Sequence, residues 1–343
     1  MSDKMEKIEY LLHLPSEYQL MLASFFVTNP VALQRMKKQW VERDTEHKVR
    51  GRTDAQSKEF RNDLLGGAVC LFDPNRVDLG FLAEVNVPTA SGLYYPPSEK
   101  ALYVGSNMYV KKVQRGKVVD TLNNNLFCDV HTIEEGPDKK LLIASTGVDG
   151  ILLIDPKSPQ RVIWDWLATK HGYNRTPDGR RRKIDRGVNY QEVYSITPDH
   201  TTHLNTAIFH NGRIYACLFH QGSLVEIDPD TRKHDVVLEG MICPHHIKPR
   251  EGGYIISNSR ANKVLLLDGG FNVTRTIDGD FDWVQDATPL EDNKYLIGDS
   301  NNNRFVKVDE HGYKIDELRY EERKMFCFLP IKKQDVVEIF GAS

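Results

Sequence analysis

Five short apolar runs in this chain end in an aspartate and a turn: AVCLFDP at Asp73, ILLIDP at Asp155, LVEIDPD at Asp228, VLLLDGG at Asp268 and FVKVDEHG at Asp309. A sixth run, MYVKKVQRGK, places Gln114 at the same point. The successive intervals are 41, 41, 73, 40 and 41 residues, so the chain repeats at about 41 residues with one insertion of about 32. Each period also carries an earlier strand ending in small polar residues (LYVGSN, LLIAST, IYACLF, YIISNS, YLIGDS) and most carry a later one (KVVDTL, RVIWDWL, HDVVLEG, VTRTIDG). With the strand that opens each unit, this makes four antiparallel strands per repeat, which is the pattern of a propeller blade.

The repeat predicts an all-β fold, a six-bladed β-propeller over residues 63–343 that is closed by one blade shared between the two termini. The first copy lacks strands one and two, while the C-terminus offers MFCFLPIKK and DVVEIFGAS, so two strands are expected from each end. Two stacked sandwiches would fit the strand content but explain neither the period nor the split blade. Residues 1–62 read differently. IEYLLHL, SEYQLMLASFF and the stretch from Pro30 to about Val41, with Asn29 as N-cap, have helical spacing, and Glu42 to Arg61 is a charged connector. A helical N-terminal extension is expected there, able to join a homo-oligomer.

Composition narrows the partners. Forty-five basic against 48 acidic residues leave a formal charge of -3, which argues against bulk binding to nucleic acid or an anionic membrane. The N-terminus lacks an apolar signal core and no run reaches a membrane span, so a cytoplasmic location is expected. The five cysteines are odd in number, widely spaced and free of CxxC pairs, and read as buried thiols. GxSxG, GxxxxGK[ST], HExxH and a strand-to-helix GxGxxG are all missing.

In a propeller the first strand of each blade lines the axis. Counting back about 24 residues from each marker reaches Ala90 to Gly92, His131, His203 to Asn205, His245 with His246, Asp286, and Cys327 or Phe328. His131, His203, His245, His246 and Asp286 are thereby expected to converge as ligands of a divalent metal, with Fe, Zn, Cu, Mn and Ni all compatible with imidazole and carboxylate. The competing reading is a set of channel histidines that bind only water. Cys327 would be a soft extra ligand or, more simply, core. Loops on the same face offer Asp149, His220 as a general acid or base, and Arg260 as an anion clamp. The insertion, about residues 168–199, holds six basic residues from Arg175 to Arg186 around the turn at Pro177 to Gly179, placed as a lid. Arg186 and Tyr190 from it, with Asn205 and Arg304, are the expected contacts to a small anionic substrate.

The blades, with the segments TTHLN, LFHQGSLVEID and PHHIKP, resemble six-bladed propellers of the NHL, gluconolactonase-like and streptogramin-lyase-like group, and more loosely arylsulfotransferase-like propellers. The resemblance implies the fold. It also implies a channel site: gluconolactonase-like enzymes hold a divalent metal through Glu, Asn and Asp, of which Asp286 and Asn205 match in type here while histidines take the other places. Streptogramin-lyase-like propellers use a channel histidine with Glu and Mg, and arylsulfotransferases use one as sulfate acceptor, roles that His131, His203 or His246 would fill. The expected function is a metal-dependent lyase, hydrolase or oxidase, the metal serving as Lewis acid or activating water or dioxygen. A metal-free transferase or lyase using a channel histidine, and a non-enzymatic protein-binding propeller, are the alternatives.

Overall fold

The aspartates that mark the repeat do so because each one closes a hairpin turn. A carboxylate oxygen accepts the backbone N–H two residues on: Asn75 on Asp73 (2.7 Å), Lys157 on Asp155 (2.9 Å), Asp230 on Asp228 (3.0 Å), Gly270 on Asp268 (2.9 Å) and His311 on Asp309 (2.8 Å). Gln114 needs no such acceptor. Its two-residue loop has both Arg115 (φ 48) and Gly116 (φ 75) in the left-handed region, a turn matched to the twist of a tight hairpin.

The computed structural model of the chain describes residues 3–35, 38, 62–193 and 195–341. They form six four-stranded antiparallel sheets arranged as a propeller. Blade I has Lys324–Lys332 innermost, followed by Gln19–Val27, Ala68–Phe72 and Phe81–Asn86. Blades II to VI follow in chain order, with innermost strands Ala90–Tyr94, Val130–Glu135, Leu204–His210, Pro244–Arg250 and Val284–Pro289. The core lies between blades: Leu142, Ile151 and Trp166 of blade III, for example, pack with Leu204, Ala216 and Val225 of blade IV.

Each junction at the axis is also stitched by a bond from one inner region to the next. Going round from blade I, the links are Cys327 Sγ to Ser91 O (3.3 Å), Ser91 Oγ to Val130 O (2.6 Å), and Thr146 Oγ1 to Leu204 O (2.6 Å). Thr206 Oγ1 to His245 O (2.6 Å), His246 Nδ1 to Gln285 O (3.0 Å) and Phe328 N to Asp286 Oδ2 (2.6 Å) complete the ring. Cys327 is therefore a packing residue, and burial pushes its thiol up to about 12. All five cysteines are unpaired, and Cys243 alone is not fully buried.

The shared blade closes differently from the expectation. SEYQLMLASFF does not form a helix; Gln19–Val27 is the second strand of blade I, paired with Lys324–Lys332 on one side and Ala68–Phe72 on the other. Three strands thus come from the N-terminal part and one from the C-terminus, and the propeller begins at Gln19 rather than residue 63. DVVEIFGAS, left without a place in the sheet, forms the short helix Val336–Phe340, whose Glu338 and Ile339 carbonyls receive the N–H groups of Arg115 and Gly116 at 2.8 and 2.7 Å. The helical expectation holds for Asp3–His13, which sets Leu11 against the blade I core and the Tyr10 hydroxyl on Asp73. It holds also for 30–35, where Asn29 Oδ1 accepts the Ala32 N–H at 3.1 Å. The rest of that stretch to about Val41, residue 38 apart, and the expected connector from Glu42 to Arg61 lie outside the described residues. No helix among the described residues is long and apolar enough to cross a membrane.

Because Gln19–Val27 covers two sheet edges while the helix Asp3–His13 only leans on them, truncations separate the two. Removing residues 1–14 leaves a chain that still unfolds cooperatively, whereas removing residues 1–27 opens the ring and abolishes the thermal transition followed by circular dichroism. A cooperative transition in the longer truncation contradicts the assignment.

Candidate functional site

Four antiparallel strands per blade return the chain to the face it started from, so all six inner strands begin on one face of the ring. The loops between second and third strands and the insertion share that face. Just before five of the inner strands stands a residue in the left-handed region: Thr89 (φ 52), Asp129 (φ 54), His203 (φ 47), Cys243 (φ 54) and Trp283 (φ 64). Each is followed by an irregularity in pairing, as between Val130 and Thr132 or Leu204 and Thr206. This backbone turn brings unlike side chains to one mouth.

At that mouth Asp129, His200 and His203 meet, with one ligand atom from each lying within 4.8 Å of the others. His200 and His203 are stacked, ring centroids 5.0 Å apart, and their Nδ1 atoms face each other at 2.7 Å. His200 Nε2 lies 2.9 Å from Ser195 Oγ. His131 stands edge-on to His203 at 5.2 Å and donates Nδ1–H to the Asp129 carbonyl (2.9 Å). His245 makes the equivalent bond to the Cys243 carbonyl (3.1 Å) but is one ring removed from His203, behind Phe219. His220 lies 5.9 Å from His203 and contacts the Thr197 carbonyl through Nε2 (3.1 Å).

Asp149 organises this cluster. Fully buried, its carboxylate accepts the backbone N–H groups of Thr201, Thr202 and His203 at 2.8, 2.8 and 2.9 Å and pairs with Arg182 of the insertion at 2.6 Å. Burial pushes its carboxyl upward, but Arg182, His200 and those N–H groups outweigh it and hold the pKa below the ordinary value. One side chain therefore both docks the insertion and fixes the turn that presents His203. The insertion is tied down further by Gln191 Nε2 to Met108 O (2.6 Å) in blade II.

Burial disfavours the protonated form of His200, His203, His220 and His245. His200 is pushed down to about 3, chiefly by burial, with Arg182 adding and Asp149 opposing. His203 falls well below its ordinary value through burial and then through His200 and His131, and His245 does so through burial, His246 and His131. Burial likewise lowers His220.

The sequence-derived ligand set is thus divided. His131 and His203 come together, with His220 beside them and His245 behind Phe219. His246 and Asp286 belong elsewhere: they are junction residues further down the axis, where Asp286 pairs with Lys248 at 2.6 Å and accepts Phe328 N–H. Phe326 stands against both His131 (5.0 Å) and His246 (5.6 Å), between the two groups. The expected substrate contacts are mostly engaged. Arg186 is bidentate to Asp165 on the outer strand of blade III (2.6 and 2.5 Å), and Arg304 pairs with Asp299 (2.7 Å) and Glu317 (3.3 Å). Tyr190 is buried in the core beneath the insertion, its hydroxyl accepting Asp185 N–H, and Asn205 ties blade IV to Pro244 O. Arg260 is exposed on the mouth face beside the Cys243 thiol. Asp129 and His200 were missed. Counting back 25 or 26 residues from each marker, instead of 24, finds Asp129 together with His203, while His200 carries no repeat signal at all.

Two His and one carboxylate are a donor set suited to a divalent ion. An ion bound tetrahedrally at about 2.0–2.1 Å sets ligand nitrogens about 3.3 Å apart, so the two Nδ1 atoms, now 2.7 Å apart and sharing a hydrogen bond, need to part by about 0.6 Å.

No family model and no curated protein matches the chain. Among solved structures it is similar to a protein of unknown function from Bacteroides caccae, at 13% identity and TM-score 0.54, over 77% of this chain and 94% of that one. It is similar also to a chain of a nidogen/laminin complex at 9% identity and TM-score 0.59, over 92% and 100%. A streptogramin B lyase structure matches at 10% identity and TM-score 0.46, over 68% and 83%. The first two likenesses, at 13% and 9% identity, show the fold alone.

Two outcomes follow from the buried charges. Arg182→Met strands Asp149 without its counter-ion and costs about 3–5 kcal/mol in denaturant unfolding, a loss partly restored by adding Asp149→Asn; an unchanged midpoint contradicts the role given to the pair. In chelator-treated protein, stability falls as pH drops from about 6.5 toward about 3, because the unfolded chain takes up a proton that folded His200 refuses. The slope is about 1.4 kcal/mol per pH unit for each such histidine, and His200→Gln flattens it by about that amount.

Proposed function

We propose that the protein is a metal-dependent enzyme acting on a small anionic substrate at the mouth of the propeller axis, with Asp129, His200 and His203 as the metal ligands. The observation that carries this reading is their convergence: two uncharged imidazoles from one segment and a carboxylate from another blade, with ligand atoms within 4.8 Å of one another. Mixed nitrogen and oxygen donors without thiolate suit Zn, Fe or Mn. A divalent ion held there supplies a Lewis acid to a bound carboxylate, carbonyl or phosphoryl oxygen. His131 and His220 flank the ligands and act as acid or base toward the bound molecule. Arg260 attracts an anion to this face; Arg182, Arg186 and Arg304 do not serve, being paired with carboxylates. Arg182 and Asp149 position His203, and the insertion limits the access of water.

A second reading rests on the chain Ser195 Oγ, His200, His203, linked at 2.9 and 2.7 Å, which is able to pass a proton without a metal and use His203 directly. Elemental analysis of untagged protein decides between them. The metal reading expects about one ion per chain in wild type, lost in Asp129→Ala and His203→Ala and kept in His246→Ala. Absence of metal from wild type, with none taken up on addition of Zn, Fe or Mn salts, overturns it in favour of the proton relay.

A further inference from the structure

The opposite end of the axis carries a second feature. Between the C-terminal halves of the six inner strands lies a cavity of about 540 Å³, within the size range of small-molecule sites. Its walls are mainly apolar, built by Leu93, Ile133, Ile208, Ile247, Phe328 and Leu329. Glu134, Glu135, His246, Lys248 and Glu291 also line it, with Asp286 paired to Lys248 behind the wall.

Their hydrogen bonding is lopsided. Lys248 donates two of its three N–H groups, to Asp286 Oδ2 at 2.6 Å and to the Phe328 carbonyl at 3.0 Å. Asp286 is fully engaged, accepting Lys248, Phe328 N–H and Ala287 N–H (2.8 Å). Their charges cancel. His246 gives its Nδ1–H to Gln285 O, which leaves Nε2 as a lone-pair acceptor, and that atom is buried without a partner in a side chain only 3% exposed. Glu134 receives no hydrogen bond among the described residues. Burial lifts its carboxyl to about 7, Lys248 opposing and Asp286 adding to the rise. The lining is therefore acidic on balance: Asp286 cancels the charge of Lys248, while the carboxylates of Glu134, Glu135 and Glu291 remain. A carboxylate that receives no hydrogen bond, as at Glu134, favours a molecule that brings N–H groups.

We propose that this cavity is a second ligand site, specific for a primary ammonium group on a small apolar body, with Glu134 as counter-ion and the aliphatic walls enclosing the rest. A carboxylate or phosphate is disfavoured, because it meets the Glu134, Glu135 and Glu291 carboxylates while Lys248 is neutralised by Asp286. The site is independent of the histidine cluster, from which Phe326 separates it.

The test titrates protonated n-hexylamine, n-hexanol and hexanoate into the full-length protein, followed by calorimetry. The expected result is one hexylamine per chain, hexanol weaker by about tenfold or more, and no uptake of hexanoate. Glu134→Gln, which keeps shape and removes charge, weakens hexylamine by about tenfold or more with an unchanged melting temperature, while His203→Ala leaves hexylamine binding as in wild type. Equal binding of hexanoate, undiminished binding in Glu134→Gln, or no hexylamine binding at millimolar concentration overturns the proposal.

Discussion

Everything in this molecule hangs on the pairing of Gln19–Val27 with Lys324–Lys332. A radial array of sheets has no stable open form, since each end would expose unpaired backbone groups; here strands about three hundred residues apart in sequence meet to remove both edges. Once the ring is closed, the six inner strands are held at fixed angles about one axis, and the side chain to main chain bonds at every junction become satisfiable together. That closure also sorts chemistry by height. Residues at the start of the inner strands gather under the insertion, those past their middle gather in the cavity at the far end, and Phe326 lies between.

Within that frame a buried carboxylate performs the local work. Holding a histidine in the left-handed region costs about 1–3 kcal/mol. Asp149 offsets that cost by accepting the His203 N–H and two of its neighbours, and Arg182 offsets the burial of Asp149. The insertion is thus coupled to the presentation of His203, because the same carboxylate serves both. A region that looked in sequence like a source of positive charge for substrate turns out to spend Arg182 and Arg186 on carboxylates of blade III.

The propeller was legible because its turn chemistry is periodic: an aspartate that caps a hairpin by accepting the N–H two residues on leaves a mark every 41 residues or so. The shared blade was legible in outline only. QLMLASFFV is almost wholly buried, so it has neither the alternation of a half-buried strand nor a polar face to exclude a helix. The candidate site was half legible. His131 and His203 lie where the repeat places them, but a pairing irregularity at the start of each inner strand shifts neighbouring positions onto different sides. His246 and Asp286, near the same count, are thereby turned to the junctions and the far cavity, and Asp129 is turned to the mouth. His200 sits in the last turn of a non-repeating insertion, where no periodic argument reaches.

The claim that most needs a direct test is the identity of the mouth as a metal centre. Anomalous diffraction from crystals grown with Zn, Fe or Mn, collected on both sides of the metal's absorption edge, shows where an ion sits. The account predicts one dominant peak at about 2.0–2.2 Å from His200 Nδ1, His203 Nδ1 and an Asp129 oxygen, with the two nitrogens drawn apart from their present 2.7 Å. A peak held instead by His246 and Asp286, or no peak at saturating metal, contradicts it.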